Sequence, residues 1–402
     1  MKLDLRTLLF NRSLAAGTAA LFLSVSNAAL ASNPEEELPK LLLRFASESA
    51  VAESQPADQR AAIYTRWEAE FAAALSRAAT SADRHTIRHN LLALDASLRP
   101  KDRRMSFRIA SEALADECTK GDLVEWLCVR ARLHEGEYLS TRREESATLA
   151  MADFDRVVTL AASLLETPEA DSVRPLSLHV MDAATRQANI LGKLGRPAEA
   201  ARLELVGFGV AQRFLQDSSQ ATGWDPEQFL ERAARWQLEA RDTNGAFDTL
   251  RLVSTLAGKR FPSWHHVANL LSITHETTPE MLDVKAEFGL RWCTEMPWEA
   301  GTLDVLERAS LALTMANSKD SKQLELALAL VERGLASPKL LAETDSTRFE
   351  SATEQMKKLI GPKSCTINLT QRRSELEGML SSSTAVDGTP DAAAATLGVS
   401  VR

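Results

Sequence analysis

At 402 residues, with 47 Lys and Arg against 55 Asp and Glu and a net charge of −8, the chain can bury one large core or several small ones in series and has no whole-chain attraction for nucleic acid. Aromatics make up only 5%, with two Tyr and 17 Gly, while the strong helix formers Ala, Leu, Glu and Arg dominate. β-branched runs that would seed strands are nearly absent, so the composition excludes a sheet of consequence and points to an all-α chain.

The first 31 residues read as an export signal. Lys2, Arg6 and Arg12 make a basic start, 14–25 is apolar and Ala-rich, and Ala29-Leu30-Ala31 before Ser32 fits a signal-peptidase site. The rival is a retained anchor, since 14–31 is 18 residues, at the lower limit for crossing a bilayer, although its Ser, Gly and Thr content counts against that. No Cys follows the apolar run to carry a lipid, and no second long apolar segment exists. Without 1–31 the net charge is −10, which is expected of a soluble protein of the periplasm or extracellular space, not integral to the membrane once the signal is cleaved.

Helices are then expected in quick succession, at 34–51, 57–79, 81–97, 102–118, 121–134, 143–166, 172–194, 197–217, 226–241, 243–258, 263–275, 279–293, 300–316, 320–336 and 343–360. Each shows apolar residues at three- and four-residue steps, as in Leu324, Ala327, Leu328, Val331 and Leu335, and so buries one face. The breaks have local causes. Asp225-Pro226 and Thr278-Pro279 pair a capping side chain with Pro at the first helical position, while Gly121, Gly195 and Gly361-Pro362 stop or turn the chain.

Residues 32–170 form a helical region without an alignable repeat. Within it Arg84, Arg88, Arg99, Lys101, Arg103, Arg104 and Arg108 face only Asp95 and Asp102, a local +5 in an acidic chain. That stretch is a candidate for an anionic partner, a lipid headgroup or a polysaccharide; the plainer reading is a set of solvated helix faces neutralised by acidic neighbours. His85 and His89 have the four-residue spacing that lets two imidazoles share a metal, but Arg84 and Arg88 beside them would repel a divalent ion. No metal or cofactor is expected. A hairpin turning at Lys120-Gly121 would bring Cys118 into register with Cys128, giving a candidate disulfide; two buried small hydrophobes is the alternative.

The clearest repetition lies in 171–360. One hairpin runs through Ala184, Ala188, the Gly195-Arg196 turn and Ala200; a second lays Ala234, Arg241-Asp242 and Ala246 over it. These units resemble tetratricopeptide repeats (TPR), whose helices touch through small side chains and turn at Gly or Asp. Glu204 and Gly207 depart from that pattern, standing where such repeats place a large apolar residue and an Ala. Ala200, Ala246, Ala286 and Ala327 recur at intervals of 46, 40 and 41 residues, longer than the roughly 34 of a regular TPR and nearer the ~40–47 of HEAT-type units. The expected fold is an α-solenoid of irregular antiparallel helix hairpins.

Of the seven Trp, Trp236 and Trp292 sit inside helical stripes and read as core, while Trp264 and Trp298 lie at turns near Pro residues and are left open between locking helices together and lining a peptide groove. In 361–402, 365–369 reads as a short extended piece, 371–380 as a last helix, and 381 onward as a disordered tail. No nucleophile elbow, phosphate-binding loop or metalloprotease motif is present. The resemblance and the composition together imply an exported scaffold or adaptor without catalysis, taking a protein partner. A cell-envelope enzyme, or the helical accessory region of one, with its site in a cleft between the N-terminal helices and the repeats, is the first alternative, and a deep pocket gathering His or carboxylates would favour it.

Overall fold

The computed structural model describes residues 37–387 apart from 101, 167–172, 215–224, 257–258, 275–276, 317–319, 352, 354–356 and 358–360. The export signal, Lys101, Trp224 and the tail from 388 lie outside the described residues. Among those described there are sixteen helices and no strand, as the composition requires. The chain divides into two compact units, 1–183 and 184–402.

The first unit holds α1 (Glu37–Ala52), α2 (Ala57–Leu75), α3 (Ser81–Leu98), α4 (Arg104–Ala115), α5 (Lys120–Thr141), α6 (Glu144–Glu166) and the start of α7 (Val173–Lys193). From α1 to α6 each helix packs on the next. Short polar turns make this pairing: Thr80 accepts the N–H of Asp83, and Thr119 and Asp122 form a capping box that satisfies the orphan donors starting α5. The core gathers Phe45, Trp67 and Phe71, with the Phe45 ring set edge-on 5.1 Å from Trp67 and 5.0 Å from Phe71.

The second unit continues α7 and adds α8 (Pro197–Phe214), α9 (Pro226–Glu239), α10 (Thr243–Val253), α11 (Ser263–Leu270), α12 (Pro279–Glu295), α13 (Ala300–Ala316), α14 (Ser321–Leu335), α15 (Pro338–Ser351) and α16 (Ser364–Asp387). From α8 to α11 and again from α12 onward consecutive helices pack together, and from α9 to α14 each also meets the helix two places along. That double contact is the packing of a solenoid, in which each hairpin props up the next. The four recurring alanines, Ala200, Ala246, Ala286 and Ala327, fall in α8, α10, α12 and α14, and all are fully buried. The two hairpin turns that align in sequence also match in hydrogen bonding. Arg196 N–H bonds the Leu191 carbonyl at 2.9 Å, Asp242 N–H bonds that of Gln237 at 2.8 Å, and Gly195 (φ 73°) and Arg241 (φ 60°) hold the same left-handed position.

Three expectations need correction. The turn between α4 and α5 spans 116–119, earlier than Lys120-Gly121, so Cys118 precedes α5 and Cys128 lies well inside it. At about 1.5 Å of rise per residue those positions are too far apart for a disulfide, and the two do not pair with one another. Residues 365–369 are helical, because Asp345 of α15 accepts the Cys365 N–H and the Thr366 hydroxyl, both at 2.7 Å, and so caps α16 from outside. The helix expected at 343–360 starts instead at Pro338 and is described to Ser351, most of 352–360 lying outside the described residues, and α16 runs beyond 371–380 at both ends to pack on α13, α14 and α15.

Candidate functional site

A concave site lies in the second unit, where α9 meets α11. On α9, Glu227, Gln228, Glu231 and Arg232 share one face at helical spacing; Phe261 and, on α11, His265, His266 and Asn269 repeat the pattern. Together these eight line a cavity of about 260 Å³. Glu227 fixes the approach to α11, its Oε2 accepting the Arg260 N–H at 2.9 Å.

At the floor Nδ1 of His266 lies 2.7 Å from Oε2 of Glu231. Burial would raise the Glu231 carboxyl, but the hydrogen bond and charge of His266, the charge of Arg235 and a bond from Asn269 outweigh it and hold the group below its ordinary value. An ionised Glu231 accepts from Nδ1–H of His266. His266 is 2% exposed, and its Nε2 is buried with no hydrogen-bond partner. Beside it His265 stacks on Phe261 at 4.4 Å and 16°, and burial, with the neighbouring His266, pushes its pKa down, so that ring is neutral near pH 7.

The cavity's cation is already engaged. Arg232 bonds Glu204 through Nε at 3.0 Å and Thr185 through Nη2 at 3.3 Å, and it lies 4.5 Å over the Phe229 ring. Glu204, the departure from the TPR pattern, is fully buried; burial pushes its carboxyl up, and Arg232 and Thr185 pull the other way. The arrangement therefore sets Glu231 against His266 and Arg232 against Glu204, beside a flat aromatic platform.

The residues singled out in sequence are placed elsewhere. Arg84 and Arg88 converge on Asp116, and Arg99 bridges Asp95 and Glu68, each bond between 2.6 and 2.9 Å. Arg103 lies directly over Gly136 of α5, where a Cβ would overlap its guanidinium. Arg104 holds Asp102 at 2.7 Å, and Arg108 lies 3.8 Å from Glu112; among the described residues of the set these two are the exposed ones. The stretch is thus laced to carboxylates on α2, α3, α4 and the turns around α4. His85 and His89 do not face a common point: Trp126 donates to Nδ1 of His85 at 2.6 Å, while His89 stacks on Trp126 and sets Nε2 3.5 Å from Glu125. Cys128 lies 3.4 Å from Nδ1 of His179 in the same core. Among the described residues no group of three or more His, Cys, Asp or Glu is placed to hold a metal ion.

No Trp lines the cavity. Trp292 is core, Trp236 covers Gly192, Trp264 covers Gly301, and Trp298 donates to the Cys293 carbonyl at 2.7 Å beneath Arg333, so these four lock helices together. Gly207 is likewise a close contact, against Phe229, whereas Gly209 faces open space. The site that sequence reasoning missed is the pair Glu231–His266, 35 residues apart with no motif spacing; the adjacent His265-His266 was its one visible sign.

No protein-family model matches the chain, and no curated protein matches it. Among solved structures one match is a chain described under "Computational Design of Self-Assembling Cyclic Protein Homooligomers", 12% identical, covering 94% of this chain and 97% of that one at a TM-score of 0.15. A superposition that poor carries no argument about this protein.

Proposed function

We propose that the chain is an exported protein-interaction scaffold, built from degenerate TPR-like hairpins, that holds a segment of a partner protein at the α9–α11 cavity. The observation that carries this reading is the cavity itself, an aromatic platform and fixed polar groups set into a run of helices that pack one and two places along. Its volume of about 260 Å³ is below the roughly 300–1,000 Å³ of pockets that enclose whole small ligands, and suits one anchoring group of a larger partner. Export rests on the sequence of 1–31. Among the described residues no helix is long and apolar enough to cross a membrane.

Glu231 and His266 also favour a second reading, a proton-transfer site, because a carboxylate-oriented imidazole beside a cavity is what a general base requires. No hydroxyl, thiol or amine side chain lines the cavity, which ranks that reading second. Binding of an anionic glycan or lipid through 84–108 ranks third, since most of its guanidinium groups already hold carboxylates.

A photoreactive benzoylphenylalanine at position 261, activated in the native cell envelope, tests the scaffold reading: a discrete adduct is expected, and adducts from position 104 alone would move the binding role to the basic stretch. N-terminal sequencing of the recovered chain tests export, with a start at Ser32 expected and an intact Met1 end contradicting cleavage.

A further inference from the structure

We propose that Arg103 is the seat for a single carboxylate carried by a protein partner, an Asp or Glu side chain or a C-terminus. The seat lies in the first unit and does not depend on the α9–α11 cavity.

Two observations single out Arg103. Arg84, Arg88, Arg99, Arg104 and Arg108 each hold a carboxylate, whereas the Arg103 guanidinium has no hydrogen bond or ion pair among the described residues. It is half-buried, yet none of its nitrogens is among the buried atoms left without a partner, so each still reaches solvent. The second observation is what lies beneath it. Gly136 is a buried residue inside α5, and a Cβ built there would overlap Nη1 of Arg103 and stand 2.8 Å from its Cζ. The missing side chain is what lets the guanidinium lie against the helix, placed by packing with its charge unspent. Both features cost stability, because glycine is a poor helix former and a partly desolvated cation gains nothing without a counter-ion. Positions where a chain breaks local rules in this way are where function is expected.

The charges around the seat set the ligand. Asp102 is taken by Arg104, Asp95 and Glu68 by Arg99, and Glu137, next to Gly136, has Arg143 at 4.0 Å. Arg142 lies over Tyr138, two residues past Gly136 and so across α5. Among the described residues around Gly136 one positive charge is left over, which suits a monoanion. A lipid surface or polyanionic glycan gains by the number of free cations it meets, and one is too few. The planar guanidinium fork matches the two oxygens of a carboxylate, as Arg84 shows with Asp116 through Nε and Nη2. A lone ion pair at a part-exposed site is weak, so a ligand that uses it brings further contacts from the chain that carries it. That describes an acidic group of a protein rather than a free acid.

The test uses the full chain labelled with ¹⁵N at arginine, with the Arg103 Nε–H resonance identified by its loss in Arg103→Lys. N-acetyl-glutamate methylamide, N-acetyl-glutamine methylamide and inorganic phosphate are titrated in turn. The Arg103 resonance is expected to move and saturate with the glutamate probe, while that of Arg104, exposed and paired with Asp102, moves far less. The glutamine probe should leave Arg103 in place, and phosphate should bind no tighter than glutamate. Gly136→Ala pushes the flexible end of Arg103 off its seat while favouring the helix, so it should keep the fold. It should weaken the glutamate probe about threefold, within the range of part-exposed ion pairs. A still Arg103 resonance, an equal shift at Arg104 or an equal response to glutamine would overturn the proposal. So would tighter phosphate binding, or a Gly136→Ala variant that binds as well as the parent. The cross-link from position 261 is read separately, and neither result decides the other.

Discussion

Replacing Gly289 by Ala tests the helix stacking quantitatively. Gly289 lies in α12, and a Cβ built there would sit 2.6 Å from Cβ of Ala309 in α13 and 2.8 Å from Cδ1 of Leu271. Ordinary carbon contacts lie near 3.5–4.0 Å, so α12 and α13 must part by roughly 1 Å, and Ala309 has no flexible end with which to give way. Overpacking of this kind costs about 1–3 kcal/mol, against the roughly 0.5–1 kcal/mol that Ala gains over Gly inside a helix. The expected result is a net loss of about 1–2 kcal/mol in the second unit. Gly209 in α8 supplies the control, since nothing stands within 4 Å of its Cβ position, and Gly209→Ala should stabilise by about 0.5–1 kcal/mol. Urea unfolding followed by tryptophan fluorescence reads both. If Gly289→Ala raised the midpoint as Gly209→Ala does, the close approach of α12 to α13 would be wrong.

Three further outcomes follow from particular contacts. The Asp116 carboxyl is held well below its ordinary 3.8 by the hydrogen bond from Arg84, against burial, with Arg88 adding to the effect. Its folded value lies below its unfolded one, so its contribution is complete above about pH 4 and is lost as acid carries the pH down through the folded value; Asp116→Asn should lower the first unit's stability at pH 7, and the gap should close toward pH 2, whereas a pH-independent gap would contradict the pairing. Asp345→Ala removes the cap of α16 and should cost about 0.5–2 kcal/mol, with faster hydrogen exchange confined first to the amides near Cys365; unchanged exchange there would refute the cap. Non-reducing peptide mapping should find no link between Cys118 and Cys128, and finding one would displace the turn at 116–119.

Helix positions were legible because their determinants are local. Asp225-Pro226, Thr278-Pro279 and Gly195 each end or begin a helix within a few residues of where the chain places it. The start of α16 was not, because its cap comes from Asp345, some twenty residues away, and a β-branched Thr366-Ile367 pair outweighed it in the local pattern. The cavity was illegible for the same reason on a larger scale. Glu231 and His266 meet only when α9 and α11 pack, and a lone Glu or His in a helical stripe carries no mark of its distant partner. The basic stretch was conspicuous in sequence because its counter-charges, Glu68 and Asp116 among them, lie outside it. Charge density along a chain is not charge density on a surface.

The scaffold account turns on where the partner touches the chain, and photo-cross-linking with benzoylphenylalanine at positions 261 and 252 in the native envelope measures that directly. Leu252 on α10 is exposed and lies outside the cavity lining. The account predicts a discrete adduct at 261 and little at 252. Equal adducts at both positions, or none at 261, would contradict it.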